Sequence, residues 1–275
     1  NLRVVSSTLG GIQIKRRFGN LEISEQLPRS YVLWTIFGMS ALLAFWFGAA
    51  VPRSLGIQAL MLLNAAPWDV VDPVLSKDVG FYVFWIPVLG SAVTFAMVVT
   101  FLLFTIVTGG YAATGALQFD RGKLSAQSVP RVHLGVLLAL FLVLLGVRLW
   151  LGRSLILLDG NSGVQGIFGF ADAQARLPAL QTLSVVCLLA AGGAFWGAWK
   201  NRPVVLAASL VSTVVAGLVI GQLDPGLVQR FQVEPNELDR ETPYIQHNLA
   251  FTRLGFDIDG LERRDFEYRP DDAVD

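Results

Sequence analysis

The chain has 275 residues, with 21 Lys plus Arg balanced by 21 Asp plus Glu. Charged residues make up 15% and the mean hydropathy is +0.56, whereas soluble domains carry nearer ~25% charge. This excludes a large soluble domain, which needs charge along the outer face of each surface helix. The zero net charge leaves no electrostatic footprint for a nucleic-acid partner.

Five apolar runs, near residues 31–51, 88–111, 132–150, 177–199 and 203–223, match the ~20 residues needed to cross a hydrocarbon core. The predicted fold is an all-α integral membrane protein, a bundle of five transmembrane helices over 31–223 with interfacial helical segments. Residues 1–30 form a juxtamembrane segment and 224–275 open a new polar region. No charge occurs from Val79 to Phe119 or from Pro203 to Leu223. The chain begins with Asn1 and ends soon after the polar region opens, so it is expected to be an internal fragment. The first run starts too far along the chain for a cleaved signal peptide.

Short Lys/Arg-rich loops stay in the cytoplasm. Arg3, Lys15, Arg16, Arg17 and Arg29 precede the first run, against Glu22 and Glu25. Arg121, Lys123 and Arg131 join runs two and three, and Lys200-Asn201-Arg202 joins runs four and five. Residues 1–30 are therefore expected inside and 224–275 outside. Trp34, Trp85, Trp150, Trp196 and Trp199 lie near run ends, as interfacial aromatics do. Small residues at four-residue spacing (Thr213, Gly217, Gly221, and Ala190–Ala194 in run four) predict close helix packing in lipid. Cys187 falls inside run four, where a small buried hydrophobe is expected.

Two outer loops carry most of the remaining information. Ser54–Ala66 is too short to span and is expected at the interface. Asp69 and Asp72-Pro73 predict turns, and Asp78 is placed to cap a helix start. The aromatic segment Gly80–Trp85 is then expected to bend at Pro87 before the crossing proper. The second loop, Leu157–Asp172, has glycine at about every third position but neither the preceding strand nor the Lys-Ser/Thr pair of a phosphate loop. Arg148 is expected in the last turn of span three, snorkelling outward, with Asp159 as a candidate ion-pair partner. No acid lies within the interior of a predicted span, which weighs against a self-sufficient coupled transporter.

After the fifth run, Thr242-Pro243 predicts a helix start, Ile245, Leu249 and Thr252 share one face, and Gly255 ends the helix. Asn236 is a good N-cap. The segment QRFQVEPNELDRETPYIQHNLAFTR, at 229–253, resembles the hallmark of uncharacterised protein family 182, large polytopic membrane proteins of bacteria. DPVLSKDVGFYVFWIP, at Asp72–Pro87, resembles the family's second hallmark. Phe170-Ala171-Asp172-Ala173 departs from the Tyr-Thr-Asp-type sequence the family tends to have there. The resemblance implies a seven-span protein of the bacterial cell membrane, with two further spans upstream and a large extracytoplasmic domain downstream. It implies no activity.

Three functions compete. The first is a membrane anchor and assembly module for the extracytoplasmic domain, working through envelope protein partners and the lipid bilayer. The second is a transporter or channel for an envelope solute or lipid, with Ser212, Thr213, Gln181, Ser184 and Arg148 as its polar lining. The third is an enzyme using Asp78, Asp159 and Asp172, but no His-Glu-x-x-His, nucleophile elbow or metal-ligand cluster is present. No cofactor or metal is expected, and an enzyme is the least favoured reading. The candidate functional face joins Asp72–Trp85 to Glu234–Tyr244. Its residues are Asp72, Asp78, Tyr82, Glu234, Asn236, Glu237, Glu241 and Tyr244, with Arg148 from the last turn of span three and Asp159 and Asp172 from the loop that follows.

Overall fold

The computed structural model describes residues 13–18, 21–26, scattered positions between 30 and 48, 54–114, 116–120, 123–160 and 166–258. Among the described residues, two short antiparallel hairpins accompany the helices, β1 (Gln13–Phe18) with β2 (Leu21–Gln26) and β3 (Leu117–Asp120) with β4 (Lys123–Ala126). The second hairpin occupies what the sequence presented as a plain loop between spans two and three. The helices are α1 (Ser54–Leu63), α2 (Ile86–Ala113), α3 (Ser128–Leu158), α4 (Leu177–Trp199), α5 (Pro203–Leu218), α6 (Asp224–Val228) and α7 (Glu237–Gly255).

Among the described residues, four helical runs are long and apolar enough to cross a membrane: Phe81–Ala112, Ser128–Leu158, Asp172–Trp199 and Pro203–Gly255. They cover four of the five expected spans. The first expected span, near 31–51, lies largely outside the described residues. The positions described there, including Trp34, Phe37, Leu42 and Phe45, are helical and exposed. Phe101, Val136, Leu189 and Val214 are also exposed on the other runs, as lipid-facing side chains of a bundle must be. Trp85, Trp196 and Trp199 stand exposed near helix ends, whereas Trp150, also exposed, lies about two turns before the end of α3.

The helices meet through small residues. Ala190, Ala191 and Ala194 of α4 pack on Leu142 of α3. A Cβ on Gly135 of α3 would fall 2.1 Å from the Ala198 Cβ of α4, and one on Gly193 would fall 2.5 Å from the Ser209 hydroxyl of α5. The backbones therefore approach as closely as glycine permits. Of the small residues expected to pack from the last run, a Cβ on Gly221 would fall 3.3 Å from Leu183, whereas one on Gly217 has nothing within 4 Å; the buried small residue of α5 is Ser209, which was not among those expected.

The helix does not break at Pro87. The helix instead carries a π-turn at Phe81–Trp85, closed by the Ile86 N–H to the Phe81 carbonyl, and runs on through the proline. The same device recurs. π-Turns at Asp172–Arg176, Val219–Leu223 and Gln229–Val233 each stand two residues ahead of a proline, Pro178, Pro225 and Pro235. Proline removes one N–H and its ring crowds the carbonyl four residues back. Widening the preceding turn by one residue moves that carbonyl aside and keeps the helix continuous.

From Pro203 the helical path passes through α5, α6 and α7 to Gly255, turning at Asn236, where φ −137° and ψ 46° leave helical space. This turn brings α7 against the loop before α4.

Candidate functional site

The first part of the site is the loop ahead of α2. Asp72 is 9% exposed and collects four donors: the backbone N–H groups of Val74 and Leu75 (2.8 Å each) and Lys77 (3.0 Å), and the Tyr82 hydroxyl at 2.6 Å. Burial alone would push its pKa up. The Tyr82 hydroxyl and the Leu75, Lys77 and Val74 amides outweigh it and hold the carboxyl below the ordinary aspartate value. Asp78 caps the helix as expected, accepting the Gly80 N–H at 2.7 Å and the Trp68 N–H at 3.1 Å. Both acids are therefore organisers of the loop, Asp78 through backbone amides and Asp72 through backbone amides and the Tyr82 hydroxyl.

The second part is the segment of residues 166–172, a loop as far as Gly169 that enters the helical run at Phe170. Asp172 is fully buried, accepts the Gly169 N–H at 3.3 Å and pairs with Arg176 at 2.8 Å. The sequence named Asp172 but missed Arg176. The i,i+4 acid–base spacing was the available signal.

Helix α7 closes over that loop. The Glu241 carboxylate accepts the Phe170 N–H at 3.1 Å, and the Asn248 side-chain amide donates to the Phe168 carbonyl at 3.3 Å and the Tyr244 carbonyl at 2.8 Å. Tyr244 makes edge contacts with Phe168 and Phe170, and the Arg240 guanidinium lies 5.1 Å from the Phe170 ring centroid. Glu241 is 8% exposed, and its second oxygen has no hydrogen-bond partner among the described residues.

Between these parts lies a cavity of about 230 Å³, whose wall includes Asp72, Tyr82, Leu157, Phe168, Tyr244 and His247. It sits where α2 begins, α3 ends and α7 folds back. Asp72, Tyr82 and Tyr244 thus share one cavity, with Asp172 and Glu241 bonded to the loop that forms one side of it.

The other candidates fall elsewhere. α3 extends to Leu158, so Arg148 lies about three turns before its end, half-buried, and does not pair with Asp159. The separation is about 16 Å along one helix at ~1.5 Å per residue. The apolar residues Leu155–Leu158 carry the helix past Arg153, where a charge-based boundary would cut it. Asp159 is the exposed C-cap of α3. Glu234, Asn236 and Glu237 are exposed, and Asn236 precedes α7 without a side-chain capping bond. Thr242 does not start a helix. It lies inside α7 with Pro243, and its hydroxyl donates to the Leu238 carbonyl one turn back. The hydroxyls of Ser184, Ser212 and Thr213, expected as a polar lining, likewise donate to carbonyls of their own helices.

At the opposite end of α2 and α3, the Tyr111 hydroxyl meets His133 Nδ1 at 3.0 Å, and Arg131 Nε donates to the Ala198 carbonyl at 2.9 Å. The two histidines therefore sit at opposite ends of the bundle.

Long apolar helices in glycine-close contact, with a polar-latched helix over one end, define a multi-helix membrane protein. The profile described as "Uncharacterised protein family (UPF0182)" matches residues 6–274, and the chain belongs to that family. It is 38% identical over 216 residues to a UPF0182 protein of Trichlorobacter lovleyi, covering 76% of this chain and 23% of the relative. A UPF0182 protein of Leifsonia xyli subsp. xyli is 35% identical over 210 residues, 74% of this chain and 21% of the relative. One of Desulfitobacterium hafniense is 30% identical over 247 residues, 87% of this chain and 25% of the relative. The chain thus spans about a quarter of the length of these relatives. No solved structure matches it.

Proposed function

We propose that this region is the membrane anchor and assembly module of a larger bacterial envelope protein, holding a downstream extracytoplasmic domain. The observation that carries this reading is the latch. α7 belongs to the same helical path as α5 and is fixed to the 166–172 loop through Glu241, Tyr244 and Asn248. Chain leaving α7 toward residue 275 starts from a braced support rather than from a loose tail. The Tyr111 end, with Arg131, Lys200 and Arg202, is the cytoplasmic end on the charge rule. The Asp72 end and residues 224–275 are then extracytoplasmic, and a fifth span covers 31–51.

The test is a site-specific protease sequence inserted after Ile258 in the full-length protein. Cleavage in membranes that releases the downstream domain into the soluble fraction supports a bundle that alone retains it. A cleaved domain that stays membrane-bound overturns the reading.

A second reading, transport, is favoured by one observation. A polar cavity of about 470 Å³ is lined by Arg176, Gln222 and Gln229, where α4 begins and α6 lies. The Gln229 side-chain oxygen is buried there without a hydrogen-bond partner among the described residues. The self-bonded hydroxyls of α4 and α5 and the glycine-close helix contacts count against its extension through the bundle.

A further inference from the structure

We propose that the cavity beside Asp72 is a lipid site that takes one acyl chain of a bilayer phospholipid. The inference stands on the placement of these helices in a membrane and does not depend on the anchor role.

Three observations point to a hydrocarbon occupant. The first is chemical. The wall is mainly apolar, with Val79, Val83, Leu157, Leu158, Phe168 and Phe251 supplying most of it. Of its polar members, Asp72 holds four donors, the Tyr82 hydroxyl among them, and the Asn248 amide is given to two carbonyls, which leaves Tyr244 and His247 as the polar groups facing the space. A bound water needs two to four polar partners, and this wall offers few. A polar solute would lose its hydration with little in return.

The second is size. At about 230 Å³ the space exceeds the ~150 Å³ apolar cavity that holds a benzene molecule. It has room for a length of alkyl chain.

The third is position. The runs Phe81–Ala112 and Ser128–Leu158 have 32 and 31 residues, against the ~20 that cross a hydrocarbon core. Their central ~20 residues fill the core, so Val79–Val83 and Leu157–Leu158 lie roughly 6–12 Å beyond it, in the interfacial layer that holds the carboxyl ends of the phospholipid chains and their headgroups. The wall does not stop at the cavity mouth. Leu158 is 51% and Phe251 36% exposed, so apolar surface runs from inside the cavity to the outside of the bundle. A chain can enter sideways from the bilayer while its headgroup stays near the exposed His247.

The experiment uses the full-length protein in nanodiscs of phosphatidylethanolamine and phosphatidylglycerol, doped with phosphatidylglycerol bearing a diazirine near the carboxyl end of one acyl chain. After photolysis, peptide mapping should find adducts on the Val79–Val83, Leu157–Leu158 and Phe251 peptides. Leu157→Trp, which fills the cavity, should abolish these adducts while those on lipid-facing Phe101 persist. Val83→Phe is the milder filling variant, for use if Leu157→Trp fails to fold. Cavity adducts no more frequent than those at Phe101, or unchanged when the cavity is filled in a folded variant, would overturn the proposal. So would an isoprenoid rather than a diacyl lipid recovered from the washed protein.

Discussion

Glu241 of α7 and Phe170 of the loop before α4, 71 positions apart, are joined by a carboxylate-to-amide hydrogen bond of 3.1 Å. This contact ties the segment after the last span back onto the bundle. Glu241→Ala removes the acceptor and leaves the half-buried Phe170 N–H without it, at a cost of ~1–2 kcal/mol. The loss is offset in part because the unpartnered second oxygen also goes. Hydrogen exchange should show faster opening at residues 166–172 and along α7, with the centres of α3 and α4 unchanged.

Asp72 makes the loop ahead of α2 acid-sensitive. Its folded pKa is depressed below the ordinary value, so its contribution is present in full above about pH 4 and is lost as pH falls through the folded value. Asp72→Asn keeps an acceptor for Val74 and Leu75 but sets an amide against the Tyr82 hydroxyl. In thermal unfolding of the detergent-solubilised protein, wild type should exceed Asp72→Asn at neutral pH. The gap should begin to narrow at about pH 4 and close only as pH falls through the lower folded value.

Gly135 tests the packing. A Cβ there meets Ala198 at 2.1 Å, so Gly135→Leu must push α3 away from α4 and should destabilise the bundle by ~1–3 kcal/mol. Gly217→Ala, where a Cβ meets nothing within 4 Å, should leave the unfolding midpoint within error or raise it.

Pro87 explains the first π-turn. Pro87→Ala restores an N–H and relieves the crowded carbonyl, allowing an ordinary α-turn. Losing the extra residue of the turn rotates the preceding segment by about 100° relative to α2, because an α-helix has ~3.6 residues per turn. Tyr82 then swings away from Asp72. Faster exchange of the Leu75 and Lys77 amides would report that rotation, and unchanged exchange would show that the π-turn is held by the loop instead.

What could be foreseen divides along physical lines. Apolar length alone locates four spans, because lipid demands about 20 uncharged residues whatever the helices pack against. Helix ends were harder. Hydrogen bonding carries α3 beyond the hydrocarbon to Leu158, past the charge at Arg153, and this put Arg148 in the wrong place. The π-turns had a visible signature, a proline within each continuous apolar or amphipathic run, but its usual meaning is a break. Asp72, Tyr82 and Tyr244 stood out as polar or aromatic residues in unusual loops. Their convergence depends on α7 folding back at Asn236, a tertiary event with no local pattern. Phe168 and Leu157, which complete the cavity wall, carry no distinguishing signal at all.

The most direct test of the anchor account is a single-particle reconstruction of the full-length protein in nanodiscs. The account predicts α3, α4 and α5 packed without an aqueous path, Gly135 against Ala198, and the downstream domain resting on an α7 still latched at Phe170. A continuous water-filled passage between those helices, or an α7 detached from the 166–172 loop, would contradict it.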